Sequence, residues 1–207
     1  MRCLQKEKEL LLEKCNALEA TSCYASKIES IVTFAQRYDV KKMRLCQVLL
    51  KKLSANEQTF IIEGGLKHGI SVDMAVVYKG NLVGKIVRVF DVMSIVMLVT
   101  DKRCNVSSYC LKTKTRGILK GLNNDQEVQL HYVDRLSYVE DLDIIVSSGE
   151  GLIFPEGFCL GTIVSISPDG VHYKVKVKPS LEPSKIDYCY VVAKGELTVP
   201  AKTGFFD

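Results

Sequence analysis

No glycine or proline occurs before Gly64; all fourteen glycines and five prolines fall at or beyond it. These residues are the strongest local breakers of regular backbone, so the chain divides into an uninterrupted front part and a heavily punctuated remainder. In the front part Leu4, Leu11, Leu18, Ala25 and Val32 recur every seven residues, with Cys15 and Ser22 filling the alternate four-residue steps. Lys8 breaks that seam, and Glu7, Glu9, Glu13 and Glu19 interleave with Lys6, Lys8 and Lys14 as solvated flanks. The spacing predicts a helix over 1–38, roughly 50 Å long. A lone helix with a heptad seam pairs with another copy, so Leu4, Leu11, Cys15, Leu18 and Ala25 are candidate self-association residues for a homodimer or higher assembly. The alternative is an amphipathic helix folded back on its own chain.

From Met43 onward the pattern becomes short apolar segments separated by glycine or asparagine turns. Arg44–Leu50, Thr59–Ile62, Leu82–Val89, Ser94–Thr100, Ser107–Leu111 and Cys159–Ser167 are among about a dozen expected strands. One alternates cleanly: Val171, Tyr173, Val175 and Val177 on one face, His172, Lys174, Lys176 and Lys178 on the other. That is a half-buried antiparallel strand, and Pro168-Asp169-Gly170 leads into it as a hairpin turn. The run Val128, Leu130, Tyr132 points inward by the same rule, which places His131 outward. Many short, evenly spaced strands predict barrels or sandwiches.

The stretch from Ile144 to Gly161 reads I-I-V-S-S-G-E-G-L-I-F-P-E-G-F-C-L-G. Pro155 fixes its own backbone and Gly157 tolerates φ > 0, so Phe154–Gly157 is expected to be a rigid corner. Further segments complete a pattern: Phe60–Gly65, Lys67–Ile70 with Gly69, Leu82-Val83-Gly84, Arg116-Gly117-Ile118-Leu119-Lys120-Gly121 and Asp141–Gly149. In order and in spacing, from about Ile61 to Val192, these segments resemble the MreC family, bacterial rod-shape-determining proteins of the cell envelope. Asn81 and Leu142 stand where that family often has glycine.

The resemblance implies a mainly β fold, an N-terminal coiled-coil α-helix followed by two small antiparallel β-barrels. The divisions are then 1–38 for the helix, 39–113 for the first barrel and 114–207 for the second. The final strand remains a candidate to return and close the first barrel. It implies a non-enzymatic scaffold for cell-wall elongation on the periplasmic or extracytoplasmic side of the membrane. Its partners would be MreD, a class B penicillin-binding transpeptidase and, indirectly, MreB. Gly64, Gly69, Gly84, Gly117, Gly121, Gly149, Pro155, Gly157 and Gly161 would be fold-defining turns. Members of the family carry an N-terminal membrane helix; no window here approaches the roughly 18 apolar residues one needs.

Composition sets the remaining bounds. The net charge of +4 is small and mixed in sign, so it specifies no class of partner. Lys41, Lys42, Arg44, Lys51 and Lys52 form a basic run, but without aromatic platforms in the same groove they do not make a nucleic-acid site. The eight cysteines include no C-x-x-C pair and no clustering with histidine, so no zinc site is expected, and no cofactor. Cys46, Cys159 and Cys189 are expected to be small buried side chains. A second reading is a two-barrel serine hydrolase, because His68, Asp101 and Ser148 fall in His–Asp–Ser order. Against it, neither G-x-S-x-G nor G-D-S-G-G surrounds Ser148.

Overall fold

The computed structural model describes residues 43–151 and 153–192. The expected helix over 1–38, with Leu4, Leu11, Cys15, Leu18 and Ala25, lies outside the described residues. What is described is almost entirely strand: β1 (Met43–Leu53), β2 (Gln58–Glu63), β3 (Ala75–Tyr78), β4 (Asn81–Val89), β5 (Met93–Leu98) and β6 (Asn105–Cys110). There follow β7 (Arg116–Gly121), β8 (Val128–Asp134), β9 (Ile144–Ser147), β10 (Cys159–Asp169), β11 (His172–Pro179) and β12 (Tyr188–Val192). Short 3-10 turns at Leu66–His68 and Pro183–Lys185 complete the elements.

β4, β3, β12, β1, β2 and β5 pair in that order, and β5 returns to β4. This is a closed six-stranded antiparallel barrel, with no free edge to recruit another chain. Phe60, Ile62, Val76, Ile86, Val96, Leu98 and Val191 fill it, joined by Cys46 and Cys189. The last strand is thus a neighbour of the first: Met43 faces Val192. The other six strands pair β11–β8–β7–β6–β9–β10 and back to β11, a second ring of antiparallel pairings. β10 and β4 join the two sets through one parallel pair, Cys159 with Asn81. β6 pairs with β7 and β9, so hydrogen bonding changes hands between Leu98 and Asn105, ahead of the expected division at 113/114.

The two strands expected to alternate cleanly depart from that pattern, each for a local reason. Val175 and Val177 are buried on β11, but Val171 is 79% exposed. It sits in the two-residue turn after Gly170, between the paired Asp169 and His172. On β8, Val128 and Leu130 are buried as expected, yet Tyr132 is 67% exposed with φ 61. The β8–β11 register slips there, an extra residue that swings Tyr132 outward and leaves His131 half-buried. Alternation resumes at Val133, which is buried.

Candidate functional site

The corner after β9 is built around Ser147, which is completely buried. Its hydroxyl donates to the Pro155 carbonyl at 2.5 Å and accepts the Phe158 N–H at 3.0 Å. The Ser147 backbone closes the same loop: its N–H donates to Phe158 O, and its carbonyl accepts the Gly157 N–H, both at 2.9 Å. Phe154 and Phe158 turn into the interior on either side of Pro155. Gly157 has φ 85, the left-handed conformation expected of it. From sequence Ser147 is only a small turn residue; the signal for its role was its place opposite a proline corner whose carbonyl needed a donor. Ser147→Ala removes the hydroxyl that bonds the half-buried Pro155 carbonyl and the buried Phe158 N–H, and about 1–3 kcal/mol of stability should go with it. Urea denaturation of the two proteins reads this directly, and equal midpoints would show that the corner stands without it.

A second constellation lies where the two strand sets meet. Asp101, fully buried, accepts the Gln58 N–H on Oδ2 at 2.9 Å and the Arg103 N–H on Oδ1 at 2.9 Å. Arg103 also grips both oxygens, with Nε on Oδ1 at 2.9 Å and Nη2 on Oδ2 at 2.8 Å. Burial pushes the carboxyl up, but the guanidinium and the two N–H donors outweigh it and hold Asp101 below the usual carboxylate range. Asn123 continues the network: Oδ1 accepts the Lys102 N–H at 2.8 Å, and Nδ2 donates to Ala55 O at 2.8 Å. Its carbonyl accepts from Gln58 Nε2 at 3.3 Å, and its N–H donates to Thr100 O at 2.8 Å. Asn123 follows β7 and Ala55 lies in the β1–β2 turn, so this network clamps the barrel to the other ring.

The remaining expected residues fall into separate places. His68 Nδ1 accepts the Gly65 N–H at 3.2 Å, inside its own 3-10 turn. The Ser148 hydroxyl accepts the Glu150 N–H at 3.3 Å. Among the described residues no hydrogen bond joins any two of His68, Asp101 and Ser148, so the triad reading has no geometry behind it. Gly64, Gly69 and Gly149 share the positive φ of Gly157. Gly84, Gly117, Gly121 and Gly161 instead lie within β4, β7 and β10; they are not turns. At Gly84 the reason is close approach, since an added Cβ would sit 2.0 Å from the Met97 carbonyl oxygen. Within the expected basic runs, Lys51 pairs with Asp187, Lys52 with Glu57 and Lys176 with Glu127. Among the described residues no cluster of three or more metal-ligating side chains occurs. Nor is any described helix long and apolar enough to cross a membrane.

Among the described residues, three of the four most exposed large apolar side chains lie in the loop between β8 and β9. Leu136 is 95% exposed, Leu142 74% and Tyr138 69%. The loop is nonetheless pinned, because Thr115 Oγ1 donates to Tyr138 O at 2.7 Å and Leu142 N–H donates to Ile163 O at 3.1 Å. Rigid, exposed apolar groups of this kind suit a protein partner.

The family described as "Rod shape-determining protein MreC, barrel core" matches residues 48–193. The chain belongs to the MreC family. A cell shape-determining MreC of Haemophilus influenzae is 27% identical over 198 residues, covering 95% of this chain and 55% of that protein. The chain therefore spans about half the length of that relative. In fold it is similar to the crystal structure of MreC from Pseudomonas aeruginosa, with a TM-score of 0.70 at 24% identity, over 73% of this chain and 99% of that one. It is also similar to the MreC of Helicobacter pylori solved in a complex with penicillin-binding protein PBP2, with a TM-score of 0.58 at 18% identity, over 73% and 99%. From Val48 onward the six-stranded barrel lies within the residues matched as the MreC barrel core.

Proposed function

We propose that this MreC chain is a non-enzymatic scaffold on the extracytoplasmic side of the cytoplasmic membrane, holding a class B penicillin-binding transpeptidase in place for cell-wall elongation. The observation that carries this reading is the Helicobacter pylori relative, an MreC of the same fold bound to PBP2. Its mechanism is positional: two small barrels, the second formed by the β6–β11 ring, present fixed surfaces to partners. Asp101, Arg103 and Asn123 keep those surfaces at one angle. MreD and, indirectly, MreB complete the assembly. Residues 1–38 supply self-association through Leu4, Leu11, Cys15, Leu18 and Ala25. The β8–β9 loop is the contact we assign to the transpeptidase.

Immobilising the chain and passing the extracytoplasmic region of the cognate transpeptidase over it should give saturable binding. Replacing Leu136, Tyr138 and Leu142 together with serine should weaken it by about tenfold or more, since exposed apolar anchors carry most of such interfaces. No binding by the parent protein would overturn the scaffold reading; full binding by the triple variant would move the contact elsewhere.

A further inference from the structure

Five of the described cysteines are free thiols: Cys46, Cys104, Cys110, Cys159 and Cys189. Among these five, only Cys46 and Cys189 face each other as strand partners, across the β1–β12 pairing. Cys110 faces Ile145 and Cys159 faces Val146. Direct partners on an antiparallel pair project to the same face of the sheet, and both thiols join the same barrel core. Two residues along, the Val48 N–H donates to the Asp187 carbonyl at 2.8 Å. That bond places Cys46 and Cys189 in the hydrogen-bonded class of pair, with α-carbons about 5.5 Å apart. Bridged cysteines have α-carbons roughly 4.4–6.8 Å apart, which this pair meets, and β-carbons about 3.5–4.5 Å apart, so the two strands draw together by roughly 1 Å when the bond forms.

We propose that Cys46 and Cys189 are a disulfide site, a covalent link between the first and last strands of the barrel. Sγ of one thiolate attacks a disulfide oxidant and forms a mixed disulfide, expelling one thiol. Sγ of the second then displaces the other thiol. Two protons leave the cysteines and two electrons pass to the oxidant, which becomes a dithiol or two thiols. Cys46 is 2% exposed and Cys189 is fully buried. Burial also pushes the Cys46 thiol up to about 11 and raises that of Cys189. The exchange therefore takes place before β12 seats against β1, and the bond, once enclosed, is out of reach of small reductants. The supply of oxidant rests on the extracytoplasmic location proposed above; the geometry does not.

The test is to refold the reduced full-length chain in a glutathione redox buffer, block remaining thiols under denaturing conditions and map the peptides. We expect a Cys46–Cys189 linked peptide as the main oxidised species. The melting temperature of the oxidised chain should lie several degrees above that of chain refolded under reducing conditions, and the difference should vanish in the C46A/C189A double variant. A folded chain with both thiols blocked, or either cysteine linked chiefly to another partner, would overturn the assignment. Because the mapping uses only the parent protein, it decides the question even where the double variant misfolds. The scaffold reading is judged separately by transpeptidase binding, so a chain that binds without the bond sinks only the present inference.

Discussion

Gly84→Ala should destabilise the barrel by roughly 3 kcal/mol or more, a large loss for one methyl group. Gly84 is paired on both sides, with Val76 on β3 and Leu98 on β5. The new methyl would meet the Met97 carbonyl oxygen at 2.0 Å and the Leu98 α-carbon at 3.0 Å. These are backbone atoms, so no rotamer change relieves the contact and β4 and β5 must move apart. Gly69→Asn is the matched control. Its φ of 74 and ψ of 16 suit asparagine, and nothing lies within 4 Å of its added carbon. Thermal melts of the three proteins decide the matter: a Gly84→Ala chain as stable as Gly69→Asn would refute close approach as the reason for this glycine.

Asp101→Ala should cost about 2–4 kcal/mol, set by the unpaired N–H groups left behind rather than by the lost charge pair. Arg103 is 52% exposed and falls back on water, but Gln58 is buried and its N–H has no such recourse. Because the folded-state carboxyl ionises below the ordinary range, its contribution is complete above an unfolded value of about 4 and drains away as pH falls through the folded value. Asp101→Asn removes that titration. The parent should therefore lose melting temperature more steeply than Asp101→Asn as the buffer is taken below about pH 4. Parallel slopes would assign acid sensitivity to other carboxylates, with Glu57 and Glu182 the next to consider, since ion pairs lower both.

Strand periodicity carried most of the architecture, because inward residues such as Val175 and Val177 must be apolar while their neighbours meet water. It failed at Tyr132, where one extra residue in the ladder reverses the phase and no glycine marks the spot. The glycine pattern identified the family but not the job of each glycine. Positive φ at Gly157 and backbone crowding at Gly84 leave the same letter in the sequence. The clamp was hidden for a different reason. Asp101 reads as a triad aspartate or as a structural anion, and only its partners, Gln58 on β2 and Arg103 in its own loop, decide between them. Asn123 sits in an ordinary polar turn, Gly121-Leu122-Asn123-Asn124, until the fold brings Ala55 and Lys102 to it.

The pairing of Met43 with Val192 imposes a schedule on the growing polypeptide. Five strands of the barrel are complete by Leu98, yet the gap between β1 and β3 stays open until β12 has been made. Through that interval β1 and β3 expose unmatched backbone, the kind of edge that invites pairing with foreign strands. The β6–β11 ring needs nothing from outside itself to finish its pairings, so all of its strands are in hand before β12 is made, although it emerges later. The barrel begun first is thus the last to have all its strands, and a nascent chain stopped between Pro179 and Tyr188 carries the full set of ring strands beside an open, adhesive sheet.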